Sequence, residues 1–298
     1  MLQSIAAWLV SRPQNGILGL AATYILFLPF AGIFSGAVIV LLVLNDGLRR
    51  AMILALLAAT LLALLALLTG GSAPQTALVA LLNWLPAYVL AALLGHWQSL
   101  ALTLQVSVIV ALAGLLGFYV VLGDPSVFWS DWLAEEAVTL FRDMGLHEQA
   151  ATLLENRAAI AQQMTVLFVF AIWSLYAFGL VLGHTLYDSL GGHSEVFGRF
   201  CDLNLGRVLA LIMAVASVAA VITGAVWLRN FAFLVFVVFW IQGLAIMHWL
   251  HAERQLPAVL LVIVYALIPL LSALPVISFA VVGYSDAWFA YRTRSAGR

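Results

Sequence analysis

Lysine is absent from this 298-residue chain, and all twelve basic residues are arginine. That excludes chemistry built on a lysine amine, such as a P-loop nucleotide site or a Schiff base. Cysteine is almost absent. A lone Cys201 excludes an internal disulfide framework and a multi-cysteine zinc site. Charge is scarce as well, at 8% of residues, where soluble domains carry roughly a quarter. A net charge of -1 gives no electrostatic footprint for nucleic acid. No HExxH or GxSxG motif occurs, and no Ser, His and Asp arrangement is evident. Asp46, Asp188, Asp202 and Asp286 all lie near the ends of apolar runs. The chain therefore has no carboxylate pair within the hydrocarbon of the kind a proton relay uses. These absences point to a non-enzymatic protein without metal or cofactor.

What remains is hydrocarbon, with 65% of residues hydrophobic. The pattern is that of an all-α, polytopic membrane bundle of eight to ten spans, forming a single membrane domain over residues 1–298. Leu2 to Val10 reads as an interfacial helix rather than a cleaved signal, because Arg12 follows the apolar stretch instead of preceding it. Gly16 to Leu44 is too long for one span, and Pro29 divides it. Leu256 to Tyr291, about 54 Å at helical rise, is divided near Ala273–Pro275. Between these ends lie apolar runs over 51–68, 76–94, 99–122, 165–186, 208–227 and 231–250, with a turn expected at Arg229-Asn230. Two proline-broken end regions hint at an inverted repeat. Gly32 with Gly36, and Gly179 with Gly183, are small-residue steps that let helices approach closely.

One long polar segment interrupts this, over residues 124–160. It holds seven of the thirteen acidic residues and only Arg142 and Arg157 among the basic ones. Arginine concentrates on the cytoplasmic side, so the segment is expected outside. Asn45 to Arg50, the main loop 187–207 and the C-terminal Arg292, Arg294 and Arg298 are then inside, as are both termini, with the chain in a bacterial inner membrane. Asp124-Pro125-Ser126 starts a helix and Gly145 ends it. Trp129, Trp132, Leu133, Ala137, Leu140, Phe141 and Met144 form its apolar stripe. A second helix from His147 is expected to run unbroken into the next span. The first helix lies either on the outer leaflet or over the bundle as a lid.

Within the spans, Asn83, Gln105 and Gln242 are amides that need partners in hydrocarbon. They either tie helices together or, with the carbonyl freed by Pro86, line a solute site. His248 and His251 share a helix face, but no third ligand follows, and interfacial histidines are the expectation. His184 is expected near the end of its span, within reach of water.

Three stretches resemble one family. They are Leu85-Pro86-Ala87-Tyr88 to Gln98; Leu190-Gly191-Gly192 with Phe197, Arg199, Phe200, Leu203, Leu205 and Arg207; and Gly283 to Arg292. Together they resemble the YybS-like family of predicted polytopic bacterial membrane proteins. This chain departs from the family's Asn-Pro-Gly-Gly-Phe-like turn, having Ser189-Leu190 before Gly191-Gly192. It also departs from the family's more basic turn at Gly95-His96-Trp97. A looser likeness to the substrate-binding subunits of energy-coupling-factor transporters lies in the short, broken helices and is fold-level only. The resemblance implies a protein partner docking on Gly191, Gly192, Phe197, Arg199, Leu205, Arg207, Asp286 and Arg292, with Asp286 and Arg292 as an exposed tie worth about 0–1 kcal/mol. The alternative is small-solute binding or transport at Asn83, Pro86, Gln105 and Gln242, with the pocket beneath the 124–160 helix. Lipid is a partner in either case.

Overall fold

The computed structural model describes residues 2–191, 194–254, 256–271 and 273–292. These residues are almost wholly helical, and no strand occurs among them. In chain order the helices are α1 (Leu2–Ser11), α2 (Pro13–Leu26), α3 (Ala31–Asp46), α4 (Leu48–Leu68), α5 (Ala73–Trp97) and α6 (Leu100–Leu122). Then come α7 (Pro125–Trp132), a π turn (Leu133–Ala137), α8 (Val138–Asp143), α9 (His147–Ser189) and the single turn α10 (Ser194–Phe197). The chain closes with α11 (Gly206–Thr223), α12 (Val226–Val237), α13 (Trp240–Arg254), α14 (Ala258–Leu271) and α15 (Ala273–Phe289).

Six elements among the described residues are long and apolar enough to cross a membrane: α4, α5, α6, α9, α11 and the stretch Val226–Glu253. The shorter α3 and α15 are apolar as well. The exposed surface confirms the solvent. Val121, Val221 and Ile222 are at least 78% exposed, which hydrocarbon tolerates and water does not.

The first long terminal run breaks where its proline predicts. It breaks between Leu26 and Ala31, around a cis Leu28–Pro29 bond. The break expected near Ala273–Pro275 adjoins residue 272, which lies outside the described residues; α14 is described to Leu271 and α15 from Ala273. The expected turn at Arg229-Asn230 is corrected. The chain turns five residues earlier, where Gly224 takes φ 66° and caps α11 through its N–H to the Ala220 carbonyl. Asn230 is therefore inside α12 and buried.

The backbone divides into two compact units. The first holds residues 1–107 and 173–203; the second holds 108–172 and 204–298. In the first unit, α9 meets α3 across the two small-residue steps. A methyl on Gly179 would sit 2.9 Å from the Gly32 carbonyl oxygen, and one on Gly183 would sit 2.6 Å from that of Ala37. Gly36 faces elsewhere, toward Ala87 of α5. In the second unit the closest crossing joins α13 and α15 at Gly243 and Gly283. A methyl on Gly243 would overlap the Phe279 carbonyl, and one on Gly283 would overlap that of Phe239.

The polar insert folds as its sequence signals. Asp124 caps α7 by accepting from the Ser126 N–H at 2.9 Å. Gly145, at φ 76°, ends α8. Its N–H bonds the Arg142 carbonyl while Leu146 N–H reaches that of Phe141, a Schellman closure. Trp129, Leu133 and Ala137 bury against Ala161, Leu153, Ile160 and Met164 of α9. Trp129 Nε1 also donates to Thr165 Oγ1 at 2.8 Å. The predicted stripe does not continue. Leu140 and Met144 are exposed, and Val138 is buried in their place. The π turn accounts for this, since one extra residue rotates everything after it by about 100°. Helix α9 is 43 residues long, about 64 Å at helical rise, roughly twice a hydrocarbon core. Its polar start, with Glu148, Glu155 and Arg157, is the part the bilayer cannot hold.

Candidate functional site

The residues singled out from sequence fall into both units. In the first unit, Gly191, Phe197 and Arg199 follow α9. Gly191 takes φ 117°, a backbone conformation that favours glycine. The half-buried Phe197 ring meets His184 and Tyr187 edge-on, each with centroids 5.9 Å apart. The Arg199 guanidinium forks onto Asp202, with contacts of 2.8 Å and 3.3 Å, and both side chains are half exposed. Val196 beside them is 45% exposed, whereas Leu203 is buried. The segment is thus a short ordered platform: α10, then a 3₁₀ turn (Phe200–Asp202), footed on aromatic contacts with α9. Gly192, Arg294 and Arg298 lie outside the described residues.

His184 is corrected. It does not reach water but is 1% exposed, with Nε2 3.8 Å from Asp188 Oδ2. Its burial follows from Gly183, whose missing side chain brings this turn of α9 against α3.

In the second unit, Leu205, Arg207, Asp286 and Arg292 come together with a residue that had been assigned to the solute site, Gln242. Asp286 is 1% exposed. Its Oδ2 accepts from Gln242 Nε2 at 2.9 Å and Arg292 Nη2 at 2.7 Å, and its Oδ1 accepts from the Tyr291 N–H at 3.0 Å. Gln242 Oε1 in turn accepts from the Leu205 N–H at 2.8 Å. Arg207 Nη2 donates to the Trp288 carbonyl at 3.4 Å. The expectation of an exposed Asp286–Arg292 tie is corrected, because the ion pair is interior. Ala290, at φ 50°, turns the chain back at the end of α15 so that Arg292 can reach the carboxylate. Leu205 and Asp286 offer no surface to a partner. What they build is a clasp joining the start of α11, the start of α13 and the end of α15.

The solute-site residues are not all brought together. Asn83, Pro86 and Gln105 belong to the first unit and Gln242 to the second. The Asn83 carbonyl accepts from Tyr176 Oη at 3.0 Å, while its own Oδ1 is buried without a hydrogen-bond partner among the described residues. Near it, Trp84 Nε1 donates to Ser35 Oγ at 2.9 Å, and the Tyr24 and Trp84 rings meet edge-on at 5.7 Å. Within the 124–160 insert, between α8 and the start of α9, lies an open groove of about 560 Å³, lined by Phe141, Glu148, Gln149, Thr152, Leu153, Asn156 and Ile160. Asn83 is not among its walls.

Sequence reasoning missed the polar belt where α12 begins. Asn230 Nδ2 donates to Tyr119 Oη at 2.7 Å and to the Gln162 carbonyl at 2.8 Å, and Arg229 Nη2 donates to Gln162 Oε1 at 3.1 Å. Reading Arg229-Asn230 as a turn hid the signal, which was a buried amide one residue from an arginine. His248 Nε2 lies 2.9 Å from Tyr265 Oη, and no cluster of three His, Cys, Asp or Glu able to hold a metal occurs among the described residues.

Fold and composition define a multi-pass α-helical membrane protein. Comparisons with protein-family models, curated proteins and solved structures find no match to the chain.

Proposed function

We propose that this is a non-enzymatic bacterial inner-membrane protein, with both termini cytoplasmic, that docks a cytoplasmic or membrane protein partner through residues 191–202. The observation that carries this reading is the platform itself. Phe197 is footed on His184 and Tyr187 while Val196 and Arg199 face outward. A merely connecting loop has no need of such bracing. The arginine asymmetry supports its cytoplasmic placement. The resemblance to the YybS-like family, itself part of the proposal, rests in part on the same stretch.

Cys201 makes the test direct, since it is the one cysteine and is half exposed. A membrane-impermeant thiol reagent should label inverted vesicles and spare intact spheroplasts. Photoreactive groups at Val196 and Arg199 should then capture one protein adduct of defined size. Labelling from outside, or recovery of lipid and self-adducts alone, overturns the reading.

A second reading, small-solute binding or transport, keeps one specific observation: Asn83 Oδ1, three positions before Pro86, is buried with no hydrogen-bond partner among the described residues. If Asn83 orients a solute, Asn83→Leu abolishes uptake without lowering stability. If the amide only ties helices, the same change lowers stability and leaves nothing else to measure.

A further inference from the structure

A groove of about 580 Å³ runs between α11 and α12. Its α11 wall is Met213, Ser217, Ala220 and Val221, and its α12 wall is Arg229, Ala232, Phe233 and Phe236. Positions 213, 217 and 220 fall on one helix face, as do 229, 233 and 236, so the slot follows both helices for about 10 Å. Ser217, Ala220 and Ala232 are small, and that is why a slot exists rather than a packed seam. The slot is apolar along its length and carries one cation, the exposed Arg229, at the end nearest the turn.

That end lies at a headgroup-like belt. Tyr119, Gln162 and Asn230 are hydrogen-bonded there, and Trp227 is 45% exposed two residues from Arg229. Such aromatic and amide groups mark the membrane–water boundary. Gln162 fixes the guanidinium through one N–H at 3.1 Å, and a guanidinium carries five such donors. An arginine next to hydrocarbon is costly unless an anion meets it.

We propose that the α11–α12 groove seats an acyl chain of an anionic phospholipid whose phosphate is held by Arg229. The one-ended polarity decides the occupant: a single cation above an apolar slot matches a phosphate above a hydrocarbon tail, and a headgroup of net negative charge suits it better than a zwitterion, whose own ammonium repels the guanidinium. A partner helix would bring apolar side chains along the slot but no anion to its end.

The test uses the full chain in detergent, titrated with phosphatidylglycerol or phosphatidylcholine of identical acyl chains and read by native mass spectrometry. Phosphatidylglycerol should bind about tenfold more tightly, the size of one charge-assisted contact. Arg229→Gln should erase the preference, and Arg229→Lys should keep part of it. Ser217→Phe, which fills the slot and leaves the charge, should weaken both lipids. Equal affinities in the unaltered protein, or a preference that survives Arg229→Gln, overturn the proposal. Should Arg229→Gln fail to fold, phosphatidylglycerol with a diazirine-bearing tail decides. Adducts at Ala220 and Phe233 support the site. Adducts spread evenly over the apolar surface, or protein crosslinks across the slot, overturn it.

Discussion

The two units each contain one close helix crossing, and the two crossings are built differently. In the first unit, α3 and α9 approach over paired small residues, Gly32 against Gly179 and the Ala37–Val40 turn against Gly183. The nearby polar tie is light and neutral, Trp84 to Ser35. In the second unit, α13 and α15 approach over one glycine each, and the methyl overlaps would be worse. There the crossing carries a buried ion pair, Asp286 with Arg292, and the amide of Gln242. Close approach therefore needs no repeated small-residue motif; one missing Cβ on each side suffices. The charged clasp sets which residues of α13 and α15 meet, a role buried polar groups fill elsewhere in fixing register.

The largest effect should come from breaking the clasp. Asp286→Ala removes the carboxylate that accepts from Arg292, Gln242 and the Tyr291 N–H. Removing one member of a buried pair costs about 3–5 kcal/mol. An SDS unfolding titration of the purified protein should show that loss. Asp286→Leu combined with Arg292→Leu should recover much of it, because neither half of the pair is then left behind. A double variant as unstable as the single one would mean that the hydrogen bonds to Gln242 and Tyr291, not charge balance, hold the crossing.

Next in size are the glycines of that crossing. Gly243→Ala and Gly283→Ala place a methyl on a backbone carbonyl, which cannot rotate away as a side chain can. Each should cost about 1–3 kcal/mol, toward the upper end. In the first unit, Gly183→Ala meets Val40 Cβ at 2.5 Å and the Ala37 oxygen at 2.6 Å, so it should cost nearly as much. Gly36→Ala meets only Ala87 Cβ at 3.4 Å and should be close to neutral. Equal losses at Gly36 and Gly183 would show that both members of each step are needed, contrary to the packing described here.

This contrast also marks what the sequence could and could not disclose. The proline break at Pro29, the cap at Asp124, the stop at Gly145 and the continuous α9 were legible, because each is decided by neighbours in the chain. So were the two small-residue steps. Gly243 and Gly283 were not, since a lone glycine in an apolar run has no local signature. The burial of Asp286 was hidden for the same reason: Gln242, its partner, is 44 residues away. The stripe of the insert failed at the π turn, where a single extra residue exchanged Leu140 for Val138. Of the candidate site, the Phe197–Arg199 platform was legible as a cluster of unlike residues in a polar loop. Its footing on His184 depended on a burial that only the α3–α9 crossing creates.

The smallest effect should have the opposite sign. Ala290 ends α15 in a left-handed conformation at φ 50°, and its N–H bonds the Asp286 carbonyl at 2.8 Å. An L-residue pays of order 1 kcal/mol for that backbone, and glycine does not. The position is the closing turn of the clasp, since Tyr291 N–H and Arg292 reach Asp286 only because the chain reverses here. Ala290→Gly should therefore stabilise the protein by a few tenths of a kcal/mol up to about 1 kcal/mol, the gain being reduced by glycine's greater freedom when unfolded. The same change made in Asp286→Ala should give little, because the reversed chain then has no carboxylate to reach. Measuring both in the same titration separates the two contributions. Equal gains in the two backgrounds would mean the turn is fixed by the end of α15 alone, and the clasp is its consequence rather than its cause.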